Sequence, residues 1–294
     1  MVHLSLGLSH VSIWATPQAA IQILRPFTRL RSVQLQNYSG VPSSFLPAAI
    51  HNLFQFSPDL EQVGIWTLPG PCRSFEDPNA PASSLFNRNK TDCPVRLRSL
   101  RIDGARYIVD GALASHLDLQ CLQQLAFPYP ATLDDHMVDE DFWLVLGEAA
   151  RNGRGFGLKQ LYPPPVSVGL VRFLSSFSTL EELRFASGFY PHPSFFCGED
   201  PEPGFPEYVR DFTTAERRVV GEFFKTALPM HKDNLKFLAL CGVRALGEAW
   251  DLDQEYLESV FQCRKLVHLH MPVCYPVDYL VSGGRGLISI CFPG

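Results

Sequence analysis

The chain has 294 residues, of which 46% are hydrophobic and 19% charged, a balance typical of folded proteins and unlike that of disordered chains. Its formal net charge of -5, without any block of like charges, argues against nucleic acid as a partner. No run of about eighteen apolar residues is present, so we expect no membrane-spanning helix and no membrane partner.

A six-residue pattern recurs along the whole chain: an apolar residue, two of any kind, an apolar residue, one of any kind, and a third apolar residue. The clearest copies begin at Leu30, Leu60, Leu97, Leu122, Leu180, Leu235 and Leu266, and weaker copies begin at Met1, Leu158 and Leu287. Alternate side chains of an extended segment face opposite ways, so the second and third apolar positions predict a buried side and the residues between them an outward side. We therefore expect one strand at each copy.

Helical patterns lie between these predicted strands. In chain order they cover 46–60, 139–153, 165–177, 213–228 and 251–262. The second begins with acidic residues, which suit a helix N-terminus, and ends near Gly153, which suits a C-cap. The fourth begins with a capping box from Thr213 to Glu216, and the last carries Leu257, Val260 and Phe261 on one predicted apolar face.

Two segments interrupt the alternation of strand and helix. Residues 70–94 are rich in Pro, Ser and Asn and predict a surface loop. Residues 186–211 contain five prolines and six aromatic residues, more aromatic than an ordinary linker, and predict a flexible flap.

The recurring pattern resembles that of the leucine-rich repeat family, LxxLxLxxN/CxL. The six-residue core matches well, whereas the Asn or Cys position is filled as the family has it only by Cys274. The uneven repeat lengths are similar to the irregular repeats that follow an F-box in many fungal proteins. The resemblance implies a single α/β domain over 1–294, a curved solenoid of about ten repeats with parallel strands on the concave side and helices on the convex side.

The same resemblance implies a function, which is non-catalytic protein recognition by the concave surface. In F-box proteins this surface is the substrate-binding part of a ubiquitin ligase receptor. Residues 46–60 are only faintly similar to an F-box start, so a helix between two repeats is the better interpretation of that segment. The alternative function is a secreted or cell-surface leucine-rich repeat receptor or scaffold unrelated to ubiquitin.

The location of the protein is predicted from its cysteines. Eight cysteines are spread along the chain without a CxxC pair, which indicates reduced, buried thiols rather than a disulfide framework or a zinc module. This predicts an intracellular protein, cytoplasmic or nuclear. Two glycosylation sequons, at Asn37 and Asn89, favour the secreted alternative instead.

The outward positions of the predicted strands provide the candidate binding residues. They are Trp66, Arg101, Asp103, Tyr129, Tyr162, Glu182, Arg184, His268 and His270, with Gln34, Gln36 and Phe237 on the same side. Aromatic residues together with arginine are enriched at binding hot spots. These residues are therefore predicted to contact a protein partner.

No catalytic or metal-binding motif accompanies this surface. His268 and His270 are predicted to face outward and Cys274 to lie at a buried turn, so the three potential ligands would not converge on one metal ion. GxSxG, GxGxxG, P-loop and HExxH motifs are absent from the sequence. A closed α/β barrel enzyme would also alternate strands and helices, but the uneven spacing favours an open stack. We predict no enzyme activity, no metal and no cofactor.

Overall fold

The computed structural model of the protein describes residues 3–8, 22, 24–37, 45–67, 80–86, 94–103, 107–127, 138–152, 156–164, 166–185, 214–240, 254–274 and 285–291. Tyr129, Thr213 and the predicted flap at 186–211 lie outside the described residues, as does most of the predicted loop at 70–94.

Every copy of the six-residue pattern forms a strand. The strands are β1 (His3–Leu8), β2 (Ser32–Asn37), β3 (Gln62–Thr67), β4 (Ala80–Pro81), β5 (Ser99–Asp103), β6 (Tyr107–Ile108), β7 (Gln124–Ala126), β8 (Gln160–Tyr162), β9 (Glu182–Arg184), β10 (Phe237–Ala239), β11 (His268–Cys274) and β12 (Arg285–Cys291). Ten of them form one sheet whose strand order follows the chain, while β4 and β6 pair separately.

Helices connect most of the strands. They are α1 (Phe45–Phe56), a 3-10 helix (Ala82–Leu85), α2 (Gly111–Ser115), α3 (Glu140–Arg151), α4 (Val168–Leu174), α5 (Thr214–Glu222), a π-helical turn (Phe223–Ala227), α6 (Leu228–Met230) and α7 (Gln254–Phe261). The protein is therefore α/β with a mostly parallel sheet. Among the described residues, β1 and β12 end the sheet at opposite sides and no pairing joins them.

The last strand corrects the expectation of an entirely parallel sheet. β12 pairs antiparallel with β11, with Leu269 opposite Ile290. A parallel pairing needs a crossover of about a dozen residues or more, commonly a helix, whereas only residues 275–284 join these two strands. The copy at Leu287 is thus a returning strand, and Cys274 lies at the end of a strand, in register with Arg285, instead of at a turn.

One apolar column crosses the whole sheet and confirms the central position of the pattern. In register order it consists of Leu4, Val33, Val63, Leu100, Leu125, Leu161, Leu183, Leu238, Leu269 and Ile290. From Val33 to Leu269 these side chains are at most 2% exposed. The first position of the pattern is buried as well, at Leu30, Leu60, Leu97, Leu122, Leu158, Leu180, Leu235 and Leu266. Burial of this kind contributes about 25 cal/mol per Å² of apolar surface.

The backbone repeats a second feature at the start of the strands. The carbonyl oxygen of Lys159 accepts from the amides of Glu181 (2.8 Å) and Glu182 (2.9 Å) in the next strand. Within the described residues, the carbonyls of Arg31, Glu61, Arg98, Gln123, Lys159, Glu181 and Lys236 all bond two successive amides in this way. Because backbone groups make these bonds, this contact between successive strands can form with any residue except proline at the donating positions.

The connecting helices pack in chain order behind the apolar column. Asp139 caps α3 by accepting from the Asp141 amide, and Ser167 caps α4 by accepting from the Leu170 amide. The Glu140 carboxylate also accepts from the amide of Gly169, which joins the starts of the two helices. A Cβ at position 169 would collide with that carboxylate, so a larger residue there would displace the Glu140 side chain.

Aromatic side chains fill the space between the helices and the sheet. Trp143 of α3 stacks on Phe173 of α4 with ring centroids 5.5 Å apart, and Phe173 contacts Phe177 at 4.9 Å. Phe177 in turn contacts the ring of His231, which is 1% exposed. Neighbouring connections therefore share one continuous core.

Three details differ from the sequence expectation. Residues 80–86 of the predicted surface loop contain the 3-10 helix, and Ala82, Leu85 and Phe86 belong to the core because their helical spacing places them on one side. A proline fits the third apolar position of the Leu158 copy poorly, but Pro163 is buried there, directly after β8. Phe261, at the end of α7, is 65% exposed instead of facing the core with Val260.

In the described part of the chain, no helix combines the length and apolar character that crossing a bilayer requires.

Candidate functional site

The outer face of the sheet carries the side chains that alternate with the buried column. Trp66, Arg101, Asp103, Tyr162, Glu182, Arg184, His268 and His270 all occupy outer positions of the strands, and Tyr129 lies outside the described residues. Apart from the buried Asp103, all of these side chains are at least partly accessible to solvent. The sheet therefore brings residues from five strands, far apart in sequence, onto one surface.

A continuous group of polar and aromatic side chains occupies the part of this face formed by β8 to β11. We call it the Arg184 cluster, and it consists of Gln160, Tyr162, Glu182, Arg184, Phe237, His268 and His270. Glu182 lies at its centre: one carboxylate oxygen accepts from the Tyr162 hydroxyl at 2.9 Å and the other from the Gln160 amide at 3.0 Å. The Nε of Arg184 forms an ion pair with the same carboxylate.

Aromatic rings hold the Arg184 guanidinium in place. Its Cζ lies 4.0 Å from the ring centroid of Phe237 and 5.5 Å from that of Tyr162. Such cation-π contacts contribute about 0.5 to 1 kcal/mol at exposed sites. Phe237 also contacts His268 and His270, with centroids 5.5 Å and 5.0 Å apart. The cluster is thus a connected unit and not a set of independent surface residues.

The hydroxyl of Tyr162 does not ionise at ordinary pH. Burial, and after it the hydrogen bond to the Glu182 carboxylate, raise the pKa of Tyr162 to about 12, while the charge of Arg184 opposes both effects. Tyr162 therefore acts as a permanent hydrogen-bond donor that orients Glu182. This chemistry suits positioning rather than proton transfer near neutral pH.

A second ion pair lies on β5. Arg101 Nη2 donates to Asp103 Oδ2 at 3.0 Å. Asp103 stands on the outer side, as predicted, but it is only 2% exposed, so it does not display its carboxylate to solvent. Burial raises the pKa of Asp103 above its usual value, and the hydrogen bond from Arg101 opposes this rise. Trp66 is the register neighbour of Asp103 on β3.

The two ion pairs share one arrangement: the cation is exposed and the carboxylate is covered. The side chains of Arg101 and Arg184 are 45% and 47% exposed, whereas those of Asp103 and Glu182 are 2% and 14% exposed. The surface that a partner would meet is therefore more basic than the composition of the face suggests.

Some members of this surface were not among the predicted binding residues. Gln160 and Gln124 stand directly before the central apolar position of their repeats, and Gln124 accepts a hydrogen bond from Ser99 at 2.8 Å. Phe237 has an outer position in the sequence pattern but is not among the predicted binding residues. The side chains next to Phe237 belong to β9 and β11. Their proximity follows from the register of the sheet and cannot be deduced from the sequence pattern.

A separate charged row runs along the starts of the strands. Glu181 lies between Lys159 (3.2 Å) and Lys236 (2.6 Å), and Glu61 lies between Arg31 (3.9 Å) and Arg98 (3.6 Å). The hydrogen bonds from Lys236 and then from Lys159 lower the pKa of Glu181. Each carboxylate thus bridges the strands on either side of it.

Within the described residues, no group of three or more His, Cys, Asp or Glu side chains is arranged to hold a metal ion.

No model of a known protein family matches the chain, and comparison with curated proteins finds no match.

Proposed function

We propose that the protein is a non-catalytic recognition module that binds a protein partner through the outer face of its sheet. The observation that carries this proposal is the Arg184 cluster, in which residues from β8 to β11 form one connected aromatic and polar surface. Exposed aromatic rings beside arginine are the composition found at binding hot spots. The core behind the sheet is filled by apolar side chains, and this rigid support is what a recognition surface requires.

We further propose that the fold is a leucine-rich repeat solenoid with the outer face on its concave side. Three features support this interpretation: strand order that follows the chain, one apolar column across the ten-stranded sheet, and the same bifurcated backbone bond at successive strand starts. Each unit contacts its neighbours and cannot bury its apolar side alone.

By resemblance to fungal F-box proteins, the partner would be a substrate presented to a ubiquitin ligase. This part rests on the repeat pattern alone, because fold does not determine function. An F-box encoded in the genomic frame upstream of Met1, together with co-purification of the encoded protein with the adaptor subunit of a cullin ligase, would support this part. A mass shift on deglycosylation of the natural protein, from a glycan at Asn89, would instead favour the secreted receptor.

The binding surface is tested by reversing the charge of both exposed arginines, Arg101→Glu and Arg184→Glu, in the full chain. We expect partner capture, measured by quantitative affinity purification from the native cells, to fall at least about tenfold, the loss typical of one charge-assisted contact. The control is Arg172→Glu, an exposed arginine of α4 on the helical side. Equal capture by the double variant and the control, with both folded, would remove the outer face from the function.

A further inference from the structure

We propose that the outer face binds an acidic segment of its partner, rich in glutamate or aspartate, through the guanidinium groups of Arg184 and Arg101. This inference rests on the proposed function and specifies the chemistry of the partner. Its first support is the arrangement of the two ion pairs, in which the cations are about half exposed while their carboxylates are 2% and 14% exposed. An approaching chain meets the positive member of each pair first.

Arg184 has donors left for a second carboxylate. A guanidinium carries five N–H donors in a planar fork. Among the described residues, the ion pair of Arg184 with Glu182 is made through Nε, and the other four N–H donors belong to its two terminal nitrogens. Two parallel N–H donors match the two oxygens of a carboxylate, and such bidentate pairs are the stronger ones.

The position of the guanidinium is fixed before a partner arrives. Its Cζ lies 4.0 Å from the ring centroid of Phe237 and 5.5 Å from that of Tyr162, and its Nε is held by Glu182. A side chain held in this way loses less conformational freedom on binding than a free arginine would. The rings also provide an apolar border that strengthens a charged contact beside them.

The same face is poorly suited to a basic partner. The carboxylate oxygens of Glu182 already accept from Tyr162, Gln160 and Arg184, and the Asp103 carboxylate is buried under its bond from Arg101. A lysine of a partner would meet the two guanidiniums before it reached either carboxylate. From Ser32 to His270, the outer strand positions contain no lysine and no other acidic residue in the described part of the chain.

The test uses the purified full chain and fluorescently labelled peptides of one length. The probe peptide alternates glutamate with glycine; matched peptides carry glutamine, lysine or phosphoserine in place of glutamate, and a single-stranded oligonucleotide provides a non-peptide anion. Binding is measured by fluorescence anisotropy. We expect the glutamate peptide to bind, and the glutamine and lysine peptides to bind at least about tenfold more weakly, which is the loss of affinity expected from one missing charge-assisted hydrogen bond. Added salt should weaken the binding of the glutamate peptide.

Matched variants locate the contact. Arg184→Gln should weaken binding of the glutamate peptide about tenfold, because one charge-assisted bidentate contact is lost. Arg172→Gln, which removes the same charge from the helical side, should leave the affinity unchanged. Unfolding curves of both variants that overlay that of the parent chain would show that the fold is intact.

Several outcomes overturn the inference. They are failure of the glutamate peptide to bind, preference for the lysine peptide, tighter binding of the phosphoserine peptide or the oligonucleotide, and equal affinities for Arg184→Gln and Arg172→Gln. The proposed function is judged separately by partner capture. If capture depends on Arg101 and Arg184 while no glutamate peptide binds, the acidic chemistry is wrong and the recognition surface stands; if capture does not depend on them, both proposals fall.

Discussion

On the inner face of the sheet, Leu125, Leu161 and Leu183 occupy one register column and are fully buried, and almost the same side chain recurs on every strand. On the outer face, Gln160 and Glu182, the residues next to two of these leucines, differ from strand to strand and bond to each other at 3.0 Å. The inner column allows successive strands to pack side by side, and each of its members contributes in the same way, by burying an apolar side chain. The outer residues differ in charge, polarity and bonding from one strand to the next. One stretch of the sheet can therefore differ chemically from another.

The largest difference between the faces should appear when one residue of each is shortened on the same strand. Leu161→Ala should lower the free energy of unfolding by about 3 kcal/mol, because it removes buried methyl groups and leaves a cavity. Gln160→Ala, at the adjacent outer position, should lower it by less than about 1 kcal/mol. Denaturant unfolding of both variants measures the contrast. Similar losses in the two variants would contradict the assignment of the two faces.

A polar exception inside the core sharpens the comparison through its dependence on pH. The ring of His231 is 1% exposed, and its Nε2 lies 3.0 Å from the Leu174 carbonyl oxygen. Burial lowers the pKa of His231 to about 4 from an ordinary value of 6.5, while backbone hydrogen bonds oppose this effect. Below pH 6.5, His231 is therefore protonated in the unfolded chain but still neutral in the folded chain. The contribution of His231 to the free energy of unfolding is lost as the pH falls from 6.5 towards 4.

We expect His231 to account for about 2 kcal/mol of lost stability between pH 7 and pH 4.5, measured by denaturant unfolding at each pH. In the variant His231→Gln, whose amide can still donate to the Leu174 carbonyl, the stability curve should be flatter by that amount. The comparison uses the slope and not the absolute stability, because the substitution itself changes the packing against Phe177. Parallel curves for the two proteins would show that His231 is not the titrating group.

The smallest effect is expected on the outer face, from Tyr162→Phe. The change removes the hydroxyl that donates to Glu182 at 2.9 Å, so the free energy of unfolding should fall by about 1 kcal/mol. The ultraviolet titration of the tyrosines should lose its component with a pKa near 12. The apolar ring contact with Arg184 is retained, so partner capture should weaken less than in Arg184→Gln. Loss of a component that titrates near the ordinary tyrosine pKa of about 10 would contradict the burial of Tyr162 and its hydrogen bond to Glu182.

Much of the fold was predictable because the chain repeats one spacing. A six-residue pattern of apolar side chains determines a strand with one buried side, and Leu30, Leu60, Leu122 and Leu235 are buried as the pattern requires. The pattern carries no information on strand direction. β12 therefore looked like another parallel repeat, and the short connection at 275–284 makes it antiparallel.

For the candidate surface, the sequence predicted which individual residues face outward but not which of them contact one another. Alternation placed Tyr162, Glu182 and Arg184 on the outer side, and the structure brings them together with Phe237, which is separated from them by a long connection. The burial of Asp103 was not predictable, because an outward position on a strand does not specify what covers it. Likewise, the exposure of Phe261 depends on where α7 ends relative to the core, which the helical pattern does not specify.

The sequence by itself determined which side of each repeat's strand faces the core, since this depends on a spacing of two along the chain and needs no knowledge of neighbouring strands. Only the tertiary structure decided which outer residues meet, because register between strands fixes every contact across the sheet. Arg184 shows the reason: its ring partners Tyr162 and Phe237 come from the strands on either side of its own, and its charge is half exposed while its partner Glu182 is covered.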